Sequence, residues 1–188
     1  MSSIKTILSS NDLSIGYYSK RENHVVAENL NLNLVAGQLI SLVGANGIGK
    51  STLLRTLTGI QKPLKGAVFL NEKNIHDFQP LELAQNLSLV LTEKITFSQA
   101  TVFDLVALGR QPYTNWMDQL QAEDVNAINQ ALQLTETEEL KHKKINELSD
   151  GQLQKALIAK ALAQDTALIL LDEPTSHLDL SYQVTLLK

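Results

Sequence analysis

One stretch of the sequence has the residue types and spacing of a phosphate-binding loop. Residues Gly44 to Thr52 read GANGIGKST and fit the pattern G-x-x-x-x-G-K-[ST]. The glycines, Gly44, Gly47 and Gly49, let the backbone turn tightly, so that successive N–H groups can point inward at the oxygens of a polyphosphate. A chance match in a glycine-containing turn is the alternative, and the neighbouring segments favour the true motif.

The side chains of this loop add to the chemistry of its backbone. Lys50 would supply a mobile positive charge, and the hydroxyl of Ser51 stands where Mg²⁺ is usually held. The hydroxyl of Thr52 can reach the α-phosphate, and Asn46 is a further residue of the predicted binding loop. The sequence therefore predicts a site for a nucleoside triphosphate and Mg²⁺.

Two adjacent carboxylates, Asp172 and Glu173, follow directly after an apolar run. Ligands of open α/β sheets bind at the carboxyl ends of the strands, and a buried run does not itself require acidic residues at its end. Asp172 can accept hydrogen bonds from the water shell of Mg²⁺, and Glu173 can orient or deprotonate a water for attack on the γ-phosphate. A simple strand-end turn is the alternative.

Apolar segments of the right length accompany these chemical groups. Leu39 to Val43 predicts a buried parallel strand before the loop, and Ser51 to Leu57 predicts a helix after it. Leu87 to Leu91 and Ala167 to Leu171 predict further buried strands of the main sheet. The loop and the carboxylates would then lie at one edge of a parallel sheet.

The remaining segments predict two additions to this core. Leu13 to Tyr17, Leu30 to Leu34 and Ala67 to Leu70 have the pattern of a small antiparallel sheet. Val102 to Leu108 and Val125 to Leu134 predict helices of an inserted lobe. We therefore expect an α/β fold with a parallel core sheet, an N-terminal antiparallel β-subdomain and a helical subdomain. The predicted core spans residues 1–92 and 151–188, and the helical subdomain spans 93–150.

Composition excludes several classes of protein. The 188 residues carry a net charge of −4, which gives no reason to expect a nucleic-acid partner. The chain has no cysteine, and its four histidines are not spaced for a metal, so they are predicted to be surface or loop residues. No run is long enough to span a bilayer, and the start lacks a signal peptide. We expect a soluble, cytoplasmic protein that would work at a membrane only from its surface or through a partner.

A third motif connects the two chemical groups. Residues 148–152, Leu-Ser-Asp-Gly-Gln, resemble the LSGGQ signature of ABC-type ATPases, and a helical pattern follows them before the carboxylate pair. A helix N-terminus aimed at anionic oxygens is the physical basis, with Ser149, the Gly151 N–H and Gln152 facing the nucleotide. A serine helix cap is the structural alternative for Ser149. Asp150 replaces the first glycine and should oppose γ-phosphate binding unless it points outward or pairs with a basic residue.

The resemblance implies roles for further residues. It implies a P-loop NTPase core of the RecA type, with Lys50 and Glu173 as the catalytic residues. Tyr17 resembles the aromatic that stacks on adenine, although packing alone would also explain it. Asp179 lies in a segment that resembles the family's D-loop. Thr92 stands where the family places a glutamine near Mg²⁺ and the attacking water, and a threonine has a shorter reach.

The resemblance also implies partners. ABC ATPases pair head to tail, with each ATP between the phosphate loop of one copy and the signature of the other. The segment Leu105 to Tyr113 is similar to the ATPase subunits of importers for ferric siderophores, haem and vitamin B12. In that family this lobe contacts the membrane permease, and the protein lies on the inner face of the cell membrane. Tyr113 and Trp116 are candidates for that contact, with packing inside the lobe as the alternative.

The function stays open between three classes, because the chain end and Thr92 also allow a module without turnover. Lys188 comes before the strand and the switch histidine that the family uses, so we expect a truncated chain that binds ATP weakly and hydrolyses it negligibly alone. An importer ATPase is the first interpretation. A non-transport ABC ATPase and a nucleotide-binding module without turnover are the alternatives. The transported substrate cannot be read from this sequence.

Overall fold

The computed structural model of the protein describes residues 5–91 and 99–174. The chain divides into two compact units, Met1–Leu83 and Ala84–Lys188. The predicted division into residues 1–92, 93–150 and 151–188 stays a prediction, and the two units are taken in turn below.

The first unit contains a four-stranded antiparallel sheet in the order β2-β1-β3-β4. Its core is built by apolar side chains of β1 and β3, among them Leu8, Leu13 and Leu70, which are fully buried. The three predicted antiparallel segments all lie in this sheet, which confirms the β-subdomain. The strands are β1 (Thr6–Tyr17), β2 (His24–Val35), β3 (Lys65–Leu70) and β4 (Lys73–Asn74).

Helix α1 (Lys50–Leu57) follows the phosphate-binding loop in the same unit, as predicted. Its inward side is formed by Thr52, Thr56 and Leu57, which are buried. The Thr56 hydroxyl donates to the carbonyl oxygen of Thr52 at 2.8 Å, so this polar side chain is satisfied by the helix itself. A 3₁₀ turn, Ile75–Asp77, follows in this unit, and helix α2 (Pro80–Ala84) ends at the first residue of the second unit.

The predicted buried strand before the loop is wrong in this structure. Residues 39–43 form no strand, and Leu39 is 70% and Val43 89% exposed. An apolar run becomes a buried strand only where a neighbouring strand accepts its backbone hydrogen bonds and other layers cover its faces. Among residues 5–91 and 99–174, no strand pairs with this segment. The apolar character of this run predicts a strand, but it gives no information on which strands would pair with it.

The second unit contains two parallel strands, β5 (Leu87–Val90) and β6 (Leu168–Leu171). Leu87 pairs with Leu168 and Val90 with Leu171, so the two strands are in register along their length. Parallel strands require a long crossover connection, and here the connection contains the helices of the unit. Both predicted strands are confirmed.

Helices α3 (Val102–Ala107), α4 (Ala122–Leu134) and α5 (Asp150–Ala163) pack together in this unit. The sequence predicts the first two helices for the lobe, whereas it assigns the residues after 150 to the core. Helix α3 begins with a capping box in which Thr101 and Asp104 exchange hydrogen bonds. Three 3₁₀ segments connect the helices: Leu108–Tyr113, Glu138–Leu140 and Ile145–Glu147. The shared apolar core contains Val102, Leu105, Val106, Ile128, Ala131, Leu132, Ile145, Ala156, Ala159 and Ala163.

None of the helices within the described ranges has the length and apolarity needed to cross a lipid bilayer. Helix α5, the longest, has 14 residues, and a bilayer span needs about 20.

Candidate nucleotide site

The phosphate-binding loop has the backbone geometry that its glycines predict. Gly47 and Gly49 have φ angles of 79° and 107°, which lie in the left-handed region that only glycine adopts readily. A side chain at Gly49 would in addition overlap the side chain of Val26. Other residues at these two positions would therefore distort the turn into helix α1.

The N-terminus of helix α1 is open for an anion. Gly49 is its N-cap and provides no side-chain hydrogen bond, and the first turn contains no acidic residue. The first N–H groups of a helix have no partner within the helix and carry partial positive charge. Nothing on the helix's own first turn therefore competes with a phosphate for these donors.

The Lys50 ammonium lies over the loop. It donates hydrogen bonds to the carbonyl oxygens of Gly44 and Ala45, both at 2.9 Å. Its charge is thus held against the first two residues of the predicted loop, on a side chain long enough to exchange carbonyl partners for phosphate oxygens. Ser51 is half-buried in the first helical turn, and Asn46 is exposed in the loop.

Tyr17 lies beside the same helix. Its hydroxyl oxygen is 2.9 Å from the Thr52 hydroxyl oxygen, and the Tyr17 side chain is half exposed. If Tyr17 is the donor of this bond, the Thr52 hydroxyl keeps its own proton to donate to a phosphate. The structure therefore brings two of the predicted binding residues together, and the adenine-stacking role of Tyr17 stays a prediction.

His24 is a neighbour that the sequence did not reveal. It pairs with Tyr17 across strands β1 and β2, and the two rings lie with their centroids 6.5 Å apart and their planes 21° from parallel. The sequence interpretation placed His24 on the surface, which is correct, but gave it no neighbour. The only available signal was its position just after the hairpin loop that starts at Tyr18, where a cross-strand partner of Tyr17 is expected.

The carboxylate pair lies at the end of β6, as predicted. Asp172 is buried, and its N–H donates to the carbonyl oxygen of Val90 at 2.9 Å, so the strand pairing continues through this residue. Glu173 is exposed and has a φ angle of 47°, in the left-handed region. A non-glycine residue held there costs about 1–2 kcal/mol, and such backbone strain is frequent at functional sites. Thr92 and Asp179 lie outside the described residues.

The signature begins helix α5 with a capping box. The Ser149 hydroxyl accepts from the Gln152 N–H at 3.3 Å, and the Gln152 side-chain oxygen accepts from the Ser149 N–H at 3.1 Å. In this structure the side chains of Ser149 and Gln152 therefore act as a helix cap, which is the structural alternative for Ser149. Asp150 is exposed at the first helical position, where a negative side chain interacts favourably with the positive end of the helix dipole. Gly151 is half-buried beside it. The roles of Ser149, Gly151 and Gln152 at a nucleotide stay predictions.

A buried ion pair in the helical lobe was not predicted. Arg110 and Asp124 are 8% and 3% exposed, and Arg110 Nε donates to the Asp124 carboxylate at 2.9 Å. Arg110 Nη1 also donates to the Ala163 carbonyl oxygen at 2.9 Å, at the end of helix α5. The Gln121 N–H and the Arg110 guanidinium hold the pKa of Asp124 below its ordinary value, against the opposing effect of burial. The signature helix is therefore tied to α4 through one guanidinium group.

Tyr113 packs on this pair and Trp116 does not. The Arg110 guanidinium lies 4.1 Å from the centre of the Tyr113 ring, and the Tyr113 hydroxyl donates to the Gln164 carbonyl oxygen at 3.0 Å. Burial raises the pKa of Tyr113 above its ordinary value. Trp116 is 90% exposed. The structure thus distinguishes the two aromatic candidates: Tyr113 has contacts within the lobe, and Trp116 is open to a partner.

Comparison with known proteins agrees with the motifs. Residues 27–176 match the model of the ABC transporter family. An uncharacterised ABC transporter ATP-binding protein of Methanocaldococcus jannaschii is 43% identical over 96% of this chain and 61% of its own length. The achromobactin transport ATP-binding protein CbrD of Dickeya dadantii is 42% identical over 97% of this chain and 66% of its own. The ferric enterobactin transport ATP-binding protein FepC of Escherichia coli is 40% identical over 94% and 64%.

Solved structures give the same result. An inward-facing ABC transporter assigned to the metal-chelate type matches with a TM-score of 0.77 and 34% identity, over 97% of this chain and 66% of its own. A dimeric ATP-binding cassette in a post-hydrolysis state, bound to ADP and phosphate, matches with a TM-score of 0.82 and 27% identity, over 95% and 79%. The chain spans about two thirds or slightly less of the curated relatives named above. It has the α/β fold of a P-loop ATPase cassette, and it belongs to the ABC transporter family.

Proposed function

We propose that the chain is the ATP-binding and ATP-hydrolysing subunit of an importer for an iron siderophore, haem or cobalamin-type compound. One observation carries the proposal: an open phosphate-binding loop occurs in a chain that is similar, over nearly all of its length, to ATP-binding proteins named for siderophore transport. The siderophore cargo follows those relatives, and the haem and cobalamin alternatives follow the resemblance of Leu105 to Tyr113. This chain does not itself determine the cargo, since cargo selectivity belongs to membrane and capture subunits.

The first unit binds the nucleotide in this proposal. Backbone N–H groups of residues 44–52 hold the β- and γ-phosphates, and Lys50 moves from the loop carbonyls to the phosphate oxygens. Thr52 donates its hydroxyl proton to the α-phosphate. Tyr17, which is fixed by its bond to Thr52, stacks on adenine.

The donor set also fits Mg²⁺. Ser51, Asp172 and Thr92 would hold it, and these are oxygen donors of the kind that a hard divalent cation prefers. When bound, Mg²⁺ neutralises charge on the β- and γ-phosphates.

In the hydrolysis step of this proposal, Glu173 is the general base. Glu173 orients a water and accepts its proton while the water oxygen bonds to the γ-phosphorus. The bond from that phosphorus to the bridging oxygen breaks, which yields ADP and phosphate, and Lys50 stabilises the charge on the transferred group. The signature residues Ser149, Gly151 and Gln152, together with Asp179, come from the opposite copy in a head-to-tail dimer.

The partners in this proposal are a second copy of the chain and a membrane permease. Trp116 is the exposed aromatic side chain that the lobe offers to the permease. The protein would then lie in the cytoplasm, peripheral to the inner face of the cell membrane.

Reconstitution with the permease tests the function. The protein is purified together with the membrane subunits that copurify with it and placed in lipid vesicles, and ATP hydrolysis and uptake of a ferric siderophore, haem and cobalamin are measured. Glu173→Gln should retain ATP binding and lower hydrolysis by about 10²–10⁴-fold, since it removes a general base. ATP binding without hydrolysis in the wild-type complex would instead indicate a module without turnover. Purification without any multi-span membrane protein would indicate a non-transport ATPase.

A further inference from the structure

Asn46 and Gly47 form the only asparagine–glycine pair of the 188-residue sequence, and this pair lies in the phosphate-binding loop. The side-chain amide of an asparagine can be attacked by the backbone nitrogen of the next residue, and glycine hinders that attack least because it has no side chain. Both residues are exposed. A Cβ atom added at Gly47 would meet no atom within 4 Å outside the neighbouring residues, so the surroundings of this peptide bond are open to water.

The two groups that would react are not held in place by hydrogen bonds. Across residues 5–91 and 99–174, neither the Asn46 side chain nor the Gly47 N–H has a hydrogen-bond partner. The turn that contains them is closed only by a long bond, in which the Ile48 N–H donates to the Ala45 carbonyl oxygen at 3.4 Å. The Asn46 amide is therefore free to turn toward the Gly47 nitrogen.

Asn115, another exposed asparagine, lacks these features. Its side-chain oxygen accepts from the N–H groups of Met117 and Gln119, at 3.0 and 3.2 Å. The residue after it is Trp116, whose side chain crowds the nitrogen that would have to attack. The chain thus contains an exposed asparagine of low expected reactivity for comparison with Asn46.

Positive charge lies close to the asparagine–glycine pair. The Lys50 ammonium is hydrogen-bonded to the carbonyl oxygens of Gly44 and Ala45, and helix α1 begins at Lys50 with the positive end of its dipole. The Gly47 N–H must lose its proton before the nitrogen can attack, and nearby positive charge stabilises the resulting anion. The features that attract phosphate therefore also promote this reaction.

We propose that Asn46 is a site of spontaneous deamidation and that bound nucleotide controls the reaction. The deprotonated Gly47 nitrogen bonds to Asn46 Cγ, the bond from Cγ to Nδ2 breaks, and the leaving nitrogen takes up a proton and departs as ammonia. Water then opens the cyclic imide at either carbonyl, which yields aspartate or isoaspartate. Both products place a carboxylate in the loop, and isoaspartate also lengthens its backbone by one atom.

The control by nucleotide rests on the proposed function. In that proposal the N–H groups of residues 44–52 donate to phosphate oxygens, so a bound nucleotide occupies the N–H that must lose its proton. The reaction then proceeds only while no nucleotide is bound. A chain kept without ATP would lose its nucleotide site irreversibly, whereas a chain kept with ATP would retain it.

The test incubates the full chain in mildly alkaline buffer, with and without MgATP, and follows each asparagine by peptide mapping and mass spectrometry. Without nucleotide, Asn46 should convert to aspartate and isoaspartate while Asn115 keeps its amide. MgATP at about ten times its Kd should slow the conversion about tenfold, because only the free loop reacts. Asn46→Gln, which keeps an amide but would have to form a larger ring, should not convert. Asn46→Asp, which has the sequence of one product, should bind MgATP about tenfold more weakly, because its carboxylate repels the phosphates.

The outcomes separate this inference from the proposed function. If Asn46 in the nucleotide-free chain keeps its amide as long as Asn115 does, the deamidation site is wrong, and MgATP binding by the same sample shows that the phosphate site stands. Equal conversion with and without bound MgATP would overturn the control by nucleotide. Equal MgATP affinities for Asn46→Asp and the wild type would overturn the loss of the site. If the wild type binds no MgATP at all, the proposed function fails together with the control by nucleotide, and conversion of Asn46 would then support the chemical reaction alone.

Discussion

The hydroxyl oxygens of Tyr17 and Thr52 lie 2.9 Å apart, so the last residue of β1 is hydrogen-bonded to the helix that follows the phosphate-binding loop. In sequence they are far apart. The bond joins the residue predicted to contact the base with one predicted to contact the α-phosphate. The residue predicted to contact the base and the residue predicted to contact the α-phosphate are thus held together within one unit.

The first prediction separates the ring of Tyr17 from its hydroxyl. Tyr17→Phe should lower the free energy of unfolding by about 1 kcal/mol, because a partly buried hydrogen bond is lost. Tyr17→Ala should in addition weaken ATP binding by about tenfold, because the stacking ring is gone, and Tyr17→Phe should lose less. Urea unfolding and ATP titration measure the two effects. Equal ATP affinities for Tyr17→Ala and the wild type would contradict the base-stacking role.

The second prediction concerns the buried pair in the helical lobe. Asp124→Ala should destabilise the protein by about 3–5 kcal/mol, because it leaves the Arg110 charge buried without its partner. Glu136→Ala breaks an ion pair with Lys155 in which Glu136 is largely exposed, and should change stability by less than about 1 kcal/mol. Urea unfolding of both variants gives the comparison. Similar small losses would mean that the Arg110 pair contributes no more than a surface pair.

The third prediction concerns the pH dependence of stability: because the pKa of Asp124 is lowered in the folded protein, its free energy of unfolding should fall in acid. Hydrogen bonds from the Gln121 N–H and the Arg110 guanidinium lower the pKa of Asp124 in the folded state. Its contribution is therefore complete above the unfolded pKa of about 4 and is lost as the pH falls through the lower folded pKa. Asp124→Asn should show a smaller fall in unfolding free energy between pH 5 and pH 2 than the wild type. An identical fall would assign the acid sensitivity to other groups, such as Asp104, whose pKa is lowered by Thr101.

Local patterns in the sequence predicted most of this fold. Short apolar runs predicted β5 and β6, and the serine-cap alternative for Ser149 predicted the start of helix α5, because a helix cap is a local device. The glycines of the phosphate-binding loop likewise encode its turn directly. The strand prediction for residues 39–43 was wrong for the opposite reason. A buried strand depends on neighbours that are distant in sequence, and no described segment pairs with residues 39–43.

Contacts between distant residues could not be predicted either. Nothing in the sequence links Arg110 with Asp124, because a salt bridge between distant residues arises only after the chain has folded. The position of His24 just after the hairpin loop was the only signal for its contact with Tyr17. The motif identified Tyr17 as a candidate but not its bond to Thr52. Tyr113 and Trp116 were equal candidates until burial distinguished them.

The fourth prediction uses that distinction. Trp116→Ala should leave stability within about 0.5 kcal/mol of the wild type, because the side chain is 90% exposed, and should leave ATP binding unchanged. Uptake by the assembled transporter should fall, since an exposed aromatic is the kind of residue that anchors an interface. Leu134→Ala, which also removes an exposed apolar side chain, is the control. Unchanged uptake in Trp116→Ala would exclude Trp116 from the permease contact.

The central claim is that residues 44–52 bind the triphosphate of ATP, and calorimetric titration of MgATP into the protein tests it most directly. The wild type should bind one ATP per chain. Lys50→Ala should bind it about 10- to 100-fold more weakly, because charge-assisted hydrogen bonds to the phosphates are lost. No heat of binding with the wild type, or equal affinity in Lys50→Ala, would contradict the claim.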